Sequence, residues 1–236
     1  WQRHSAGALY HGCDMRRVTS IGIGPALGIA SALLALALYG STLAPTLSWG
    51  WRRIGVDGGE LLAAAETLGV PHPSGYPTFM LLLKGFGMLV PLGDFAFRGN
   101  LASALLAAAS VGLLYWLVYR IVRQLAADAP RAYPAMAAAL GALTFATSPL
   151  FWSQAVITEV YTLNTLFVGA LAVQATYIVF GRSTEGTSIR PVPRGLLAAT
   201  GVTLGLGMGN HLTLAAVALP LAAWVWVRGD VEFRRW

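Results

Sequence analysis

Residues 18–51 read VTSIGIGPALGIASALLALALYGSTLAPTLSWGW and contain no Asp, Glu, Lys or Arg. Four further runs also lack these charged side chains, at residues 99–119, 132–158, 160–181 and 195–227. Each run exceeds the roughly 18 apolar residues that suggest a membrane-spanning helix. Together they predict an all-α fold, a polytopic helical membrane protein.

The composition supports the same class. Hydrophobic residues make up 56% of the chain and charged residues only 11%, whereas soluble domains carry about 25% charged residues. The formal charge of +6 comes from basic residues in short clusters between the apolar runs. This pattern fixes membrane orientation and does not indicate nucleic-acid binding.

The basic clusters also predict the topology. We expect a cytoplasmic leader at residues 1–20, a membrane domain at 21–227 and a cytoplasmic end at 228–236. Alternating passes then place twelve arginines inside and four basic residues outside, Arg52, Arg53, Lys84 and Arg98, as the positive-inside rule requires. The leader and the first run together predict an uncleaved signal anchor.

The last apolar run is too long for one upright helix. Its 33 residues would span about 50 Å, against a hydrocarbon core of roughly 30 Å. We expect it to cross twice with a bend near residues 207–211, which gives about six passes. A single strongly tilted helix is the alternative.

The first outer loop, residues 48–98, is expected to contain two interfacial helices. Leu61, Leu62, Ala65 and Leu68 form an apolar stripe at helical spacing within residues 57–68, and the Gly and Pro that follow predict its end. Residues 76–90 are apolar but interrupted by Lys84 and two glycines, which favours an interfacial helix over a further pass.

Two carboxylates stand at the start of the first of these helices. Asp57 and Glu60 lie three residues apart, and this spacing is typical of a capping box, with Asp57 at the N-cap and Glu60 returning to its backbone N–H. Carboxylates beside a bilayer also indicate function. One of them can take a proton from an acceptor hydroxyl, and both interpretations can hold together.

Further polar residues fall on the same outer side. His72 lies between two prolines that stiffen its backbone, and a solvated loop histidine is the simpler interpretation. Glu159 lies in the next outer turn and is expected either to bind substrate or to form an ion pair with Arg98 or Lys84. Asn210 and His211 occupy the predicted hairpin tip, where His211 alternatively forms an interhelical hydrogen bond.

These groups come from three separate outer turns, and we expect them to converge on one face, as an active site requires. No His/Glu spacing matches a metal-binding pattern, so no metal site is predicted. An outer cation such as Arg98 would suit a phosphate-bearing lipid.

The stretches DGGE at residues 57–60 and GVPHPSGYP at 69–77, with FRGNL at 97–101 and GNHLT at 209–213, together resemble the domain-of-unknown-function family 2723. That family includes the transmembrane protein 260-like protein O-mannosyltransferases and is similar to a branch of the GT-C glycosyltransferases. The resemblance covers residues 21–227, and a histidine between two prolines is more specific than a bare Asp-x-x-Glu.

This resemblance implies an enzyme that moves a sugar, mannose in the family, from a polyprenyl-phosphate-linked donor in the membrane lipid to a Ser/Thr hydroxyl of an acceptor protein on the outer face. It implies no cofactor. Asp57 is then the leading catalytic base and Glu60 the second candidate. The implied substrate-binding residues are His72, Tyr76, Arg98, Glu159, Asn210 and His211.

Family members are longer and carry further passes, so we expect this chain to be truncated relative to them. We place it in a bacterial inner membrane with the site facing outward. We also expect the Gly/Ala-rich stretches at residues 102–112 and 135–142 to shape a lipid groove. The alternatives are a transporter with an outer cation site and a non-catalytic membrane scaffold.

Overall fold

A computed structural model describes residues 22–48, 57–180, 184–185, 188–189 and 192–228. The predicted leader at 1–20, Arg52, Arg53 and residues 229–236 of the cytoplasmic end lie outside these ranges. The regular elements of the described part are helices, apart from two strands of two residues. The elements are α1 (Ile23–Ser41), α2 (Gly58–Thr67), α3 (Pro77–Leu89), α4 (Phe95–Leu125), α5 (Ala132–Ala146), α6 (Pro149–Ala155), α7 (Tyr161–Phe180), β1 (Thr184–Glu185), β2 (Ser188–Ile189), α8 (Arg194–Met208) and α9 (Leu214–Arg228).

Among the described residues, three helices are long and apolar enough to cross a membrane: α1, α4 and α7, with 19, 31 and 20 residues. Helices α5 and α6 form a fourth candidate if they are counted as one span with a 69° bend. Helices α8 and α9 have 15 residues each and are about 22 Å long. The helical membrane fold is therefore confirmed, while the count of six passes stays a prediction.

Helix α4 is the centre of the bundle and packs against α1, α5 and α7. Small residues make this contact close, because Ala104, Ala107 and Ala142 are fully buried at the seams. On α1, a Cβ on Gly28 would lie only 2.8 Å from the Tyr115 ring of α4. The small-residue stretches therefore serve mainly to bring helices together.

An apolar cavity lies elsewhere in the described part of the chain. It has a volume of about 310 Å³ between α7, α8 and α9, and its lining includes Leu171, Leu204, Leu221 and Val225. A second groove of about 330 Å³ lies between α1 and α4 and touches Gly112. Of the two stretches predicted to shape a lipid groove, only the end of residues 102–112 lines either of these cavities.

Helices are present at both positions where interfacial helices were predicted, as α2 and α3, while their place at the membrane interface stays a prediction. They pack on each other and on the first turns of α4 through a separate apolar core that includes Leu61, Phe79, Leu83, Ala102 and Leu163. This core holds the loop between α2 and α3 against the start of α7. The site described below is built on that platform.

The predicted bend in the last apolar run is confirmed, because α8 ends at Met208 and α9 begins at Leu214. The bend is held to the platform by hydrogen bonds. Thr78 donates its backbone N–H to the Gly209 carbonyl at 3.1 Å and its hydroxyl to the Leu206 carbonyl at 2.7 Å. These contacts bring the hairpin tip beside the α2–α3 loop.

Candidate functional site

Polar residues from three segments meet at one end of the bundle. Asp57 and Glu60 stand at the start of α2, His72 and Tyr76 lie in the α2–α3 loop, and Glu159 lies two residues before the start of α7. The tip between α8 and α9 adds the sixth and seventh members, Asn210 and His211. The predicted convergence of three distant turns is thus observed in the structure.

Glu60 and His72 form the tightest pair in this group. Glu60 Oε1 accepts the His72 backbone N–H at 2.7 Å, and its Oε2 lies 2.8 Å from His72 Nδ1. This side-chain hydrogen bond lowers the pKa of Glu60 and raises the pKa of His72, and both directions favour the charged pair. His72 is therefore a positioned histidine and not simply a solvated loop residue.

The capping-box interpretation of Asp57 and Glu60 is wrong. Asp57 stands at the N-cap, but its side chain makes no capping hydrogen bond. Both Glu60 oxygens bind His72 instead. The Asp57 N–H donates to Glu159 Oε1 at 3.1 Å, so a residue 102 positions away takes the place of the local cap.

Tyr76 holds the other side of the imidazole. Its hydroxyl lies 2.8 Å from His72 Nε2. With the Nδ1 proton in the bond with Glu60, Nε2 accepts from the Tyr76 hydroxyl when the ring is neutral and donates to the hydroxyl oxygen when the ring is charged. Tyr76 has a φ of 44°, a left-handed conformation that is uncommon outside glycine, and the following Pro77 begins α3. Strain of this kind is typical of functional loops.

The Asp57 carboxylate is the open acid of the site. Its Oδ2 lies 3.7 Å from His72 Nε2, and 49% of the side chain is exposed. A carboxylate in this position can reach a solvent-borne group while the imidazole stabilises its charge. Asp57 is thus the acid of this group best placed to meet a substrate.

Glu159 is the buried acid of the site, with only 3% of its surface exposed. Oε1 accepts the Asp57 N–H, whereas Oε2 has no hydrogen-bond partner within the described part of the chain. Burial raises the pKa of Glu159 to about 7, because a charge is disfavoured away from water. Glu159 therefore changes its charge near neutral pH.

The predicted ion pair of Glu159 with Arg98 or Lys84 is not formed. Arg98 donates to the carbonyls of Gly87, Leu92 and Gly93 at 2.8–3.1 Å, so it ties the end of α3 to α4. Lys84 donates to the Glu66 carbonyl at 2.7 Å. Neither cation contacts the cluster, and substrate binding by Arg98 stays a prediction without geometric support.

His211 contacts the cluster through its ring. It stacks on Tyr76 with centroids 5.7 Å apart and meets Tyr161 at the same distance. Its Nδ1 bonds locally to Thr213, and within the described part of the chain the His211 side chain makes no interhelical hydrogen bond of the predicted kind. Burial lowers the pKa of His211, which keeps the ring neutral at pH 7.

Asn210 is fully buried and holds the tip in place. Its Nδ2 donates to the Val160 carbonyl at 3.2 Å, one residue beyond Glu159. The hairpin tip is thereby fastened to the segment that carries the buried acid. Asn210 has a positioning role in this arrangement.

Sequence reasoning gave no role to several residues that shape this site. Tyr161 flanks His211, and Thr158 donates to Asn100 Oδ1 at 2.8 Å while Asn100 Nδ2 binds the carbonyls of Ala44 and Thr46. The one signal available was position, since Thr158 and Tyr161 both adjoin Glu159. Nothing in the local spacing predicted a link to Asn100.

Spacing along the chain predicted no metal site, whereas the fold brings three ligating side chains together. One ligand atom each from Asp57, Glu60 and His72 lies within 4.8 Å of the others. The proline-flanked turn returns His72 to the start of α2 across 12 residues. A short sequence motif does not describe such a group.

A larger cavity of about 520 Å³ opens between the end of α1 and the α5–α6 bend, lined by residues that include Thr42, Trp152 and Ser153. Ser48 and Ile157 line this cavity and also a small void that touches Gly58 and Thr158. The cavity therefore ends close to the segment that carries Glu159.

Comparison with known proteins identifies the family. Residues 57–234 match the model of the protein O-mannosyl-transferase TMEM260 N-terminal domain. The chain is 35% identical over 175 residues to protein O-mannosyl-transferase TMEM260 of Mus musculus, covering 74% of this chain and 22% of that protein. It is 26% identical over 194 residues to protein O-mannosyl-transferase tmem260 of Dictyostelium discoideum, covering 80% and 22%.

Both relatives are much longer than this chain. The chain spans 22% of the length of each of them. Both are eukaryotic, so the predicted bacterial inner membrane gains no support. No solved structure matches the chain. Because the family model covers three quarters of the residues and includes the whole acidic group, the chain belongs to the family of protein O-mannosyl-transferase TMEM260 N-terminal domains.

Proposed function

We propose that this chain carries the catalytic site of a membrane glycosyltransferase of the GT-C type, which moves mannose from a polyprenyl-phosphate-linked donor to a Ser/Thr hydroxyl of an acceptor protein. The reaction takes place on the outer or lumenal face, where the first loop lies in the topology predicted from charge. The names of the mouse and Dictyostelium relatives support the protein O-mannosylation part of this proposal.

Asp57 acts as the base. The acceptor hydroxyl attacks the anomeric carbon of the sugar, the bond from that carbon to the phosphate oxygen breaks, and the lipid phosphate leaves with the bonding electrons. The hydroxyl proton passes to the Asp57 carboxylate. A phosphate leaving group needs no proton, so a single placed carboxylate meets the main chemical demand. The half-exposed Asp57 carboxylate beside His72 carries the assignment.

The surrounding residues have separate tasks. Glu60 fixes the His72 ring, and His72 supports the charge of Asp57 across 3.7 Å. Tyr76, His211 and Tyr161 form an aromatic wall on the same side. Such a wall offers a flat apolar surface with polar edges, which suits a sugar ring. The apolar cavity between α7, α8 and α9 is suited to a section of the lipid tail.

The positions of the charges disfavour the transporter alternative. A transport site is expected near the middle of the bilayer. Helices α1 and α7 contain no Asp, Glu, Lys or Arg. In α4, Arg98 lies in the first turn, and Arg120 and Arg123 lie in the last two turns. The acidic group stands at one end of the bundle instead, where a surface reaction takes place.

The substitution Asp57→Asn tests the proposal. It removes the proton acceptor and keeps the shape, so transfer of mannose from a polyprenyl-phosphate donor to an acceptor peptide should fall by about 10² to 10⁴. The matched control is Glu66→Gln, at the far end of the same helix, where the carboxylate is 57% exposed and lies beside Lys84.

The control should transfer at the rate of the unchanged chain. Thermal unfolding of both variants in detergent shows whether they are folded. Full transfer activity in a folded Asp57→Asn variant would remove Asp57 as the base.

A further inference from the structure

We propose that Asp57, Glu60 and His72 form a binding site for one divalent metal ion, with Asp57 Oδ2 and His72 Nε2 as direct ligands and Glu60 as the group that orients the imidazole. The three side chains already present ligand atoms within 4.8 Å of one another. The proposal rests on the proposed function only where the donor phosphate is invoked below, and it leaves the second Asp57 oxygen, Oδ1, to take the hydroxyl proton.

The distance between the two direct ligands fits an ion. Neighbouring ligand atoms around a tetrahedral ion with bonds of about 2.0–2.1 Å lie roughly 3.3 Å apart. His72 Nε2 and Asp57 Oδ2 are 3.7 Å apart, which is too long for a hydrogen bond. If the distance between these two atoms shortened by a few tenths of an ångström, both could bind one ion. The half-exposed Asp57 side chain has room for this movement.

Glu60 supplies the support that metal-binding histidines normally have. Ligating histidines almost always donate their second ring N–H to a carboxylate or carbonyl, which fixes the tautomer and turns the other nitrogen toward the metal. Glu60 Oε2 occupies this position at 2.8 Å from Nδ1, and its Oε1 binds the His72 backbone as well. In the ion-free site His72 Nε2 is hydrogen-bonded to the Tyr76 hydroxyl. A bound ion would take the place of this hydrogen bond.

An independent observation comes from Glu159. This carboxylate is 3% exposed, lies against the Asp57 end of the group through its bond to the Asp57 N–H, and has an Oε2 without a partner among the described residues. Buried charges are normally paired or bound to metals. The unpartnered Oε2 therefore offers a bound cation a further buried oxygen beside the Asp57 end of the group.

The charges of the neighbouring side chains also favour a bound cation. Three carboxylates, those of Asp57, Glu60 and Glu159, share a single imidazole. Arg98 and Lys84 are engaged with backbone carbonyls of α2, α3 and the α3–α4 loop. In the described part of the chain, the only ion pairs made by members of the group are those with His72. A dication would neutralise this excess, which no cation among the described side chains does.

The ligand types define the ion. One imidazole nitrogen with carboxylate oxygens suits a borderline ion such as Mn²⁺ or Zn²⁺ better than Ca²⁺, which prefers oxygen alone. Two protein ligands leave coordination positions open. If the proposed function holds, the phosphate of the lipid donor takes one of them, since ions of this kind neutralise transferring and leaving phosphates.

Manganese binding provides the test. The chain is purified in detergent, stripped with EDTA, and titrated with Mn²⁺ while free Mn²⁺ is followed by electron paramagnetic resonance. We expect one site per chain. His72→Gln and Asp57→Asn should each weaken binding by at least tenfold, and Glu60→Gln should weaken it by about 10- to 100-fold as the loss of an orienting partner.

The matched control is Glu66→Gln, which removes a carboxylate from the same helix and should leave the affinity unchanged. Zn²⁺ should displace the bound Mn²⁺. Absence of a site in the unchanged chain would overturn the proposal, and so would equal affinity in all four variants. Glu60 is exposed, so its variant remains informative if a direct-ligand variant does not fold.

The two proposals fail in different ways. Full mannose transfer in EDTA, with no Mn²⁺ bound, ends the metal proposal and leaves the proposed function standing. One Mn²⁺ bound at these residues in a chain that transfers no sugar supports the metal site and removes the function.

Discussion

Glu159→Gln is the substitution whose effect follows most directly from the structure. In the native site the carboxylate is 3% exposed, and burial raises its pKa from an ordinary 4.5 to about 7. A folded-state pKa above the unfolded one means that the contribution to stability is complete below about pH 4.5 and is lost as pH rises through about 7. The unchanged chain is therefore expected to lose stability over this range.

The size of this loss of stability follows from the pKa shift of Glu159. A rise from 4.5 to about 7 corresponds to about 3 kcal/mol of unfolding free energy at pH 8. Glutamine does not titrate, and its carbonyl still accepts the Asp57 N–H. Its amide leaves one buried donor without a partner, but that cost is the same at every pH. The stability difference between variant and native chain should thus move in favour of the variant by up to about 3 kcal/mol between pH 5 and 8.

Thermal unfolding measures this difference. In detergent containing EDTA, the Tm of the variant relative to that of the native chain should rise by up to roughly 6–12 °C between pH 5 and pH 8, taking about 2–4 °C per kcal/mol for a chain of this size. Glu66→Gln, with its exposed carboxylate, should give a nearly constant difference. A Glu159→Gln difference that does not change with pH would refute the argument that this acid is buried and titrates near 7.

Three further substitutions test the packing around the site. Gly99→Ala should destabilise the chain by about 1–3 kcal/mol, because the added Cβ would clash with Thr158. The control is Gly141→Ala, which should cost little because nothing lies close to its Cβ position. Thermal unfolding of the two variants measures the difference. Tyr39→Phe should cost about 1–3 kcal/mol, because the buried hydroxyl donates at 2.9 Å to a carbonyl at the end of α5, and a Tm within 1 °C of the native value would contradict this. Arg98→Lys should lower Tm, since an ammonium cannot reach all three carbonyls that the guanidinium binds. An unchanged Tm together with slower mannose transfer would instead favour the predicted substrate contact of Arg98.

The helices could be predicted because their signals are local. Long apolar runs predict α1, α4 and α7, the stripe beginning at Leu61 predicts α2, and the excess length of the last run predicts the bend near Asn210. The number of passes is less certain from sequence, since α8 and α9 are shorter than a typical span. Length alone does not tell a short pass from a helix that is buried within the bundle.

The members of the site were predictable, but their partners were not. Outer turns collect at one face, so Asp57, His72 and Glu159 were expected together. The partner of Glu60 was predicted to be the Asp57 backbone, because Asp-x-x-Glu describes a capping box when only four residues are considered. Its actual partner, His72, becomes available only when the proline-flanked turn folds back, and periodic patterns do not encode that return.

The placement of Asp57 depends on a chain of contacts that begins far from it. Asn100 on α4 binds the loop after α1 with its amide and accepts a hydrogen bond from Thr158 with its carbonyl. Thr158 thereby fixes the neighbouring Glu159, whose Oε1 holds the Asp57 N–H. The proposed base is thus oriented through its backbone, while its carboxylate stays open to substrate or metal. Loosening of the contact between α4 and the segment before α7 should therefore reduce transfer without any change at Asp57 itself.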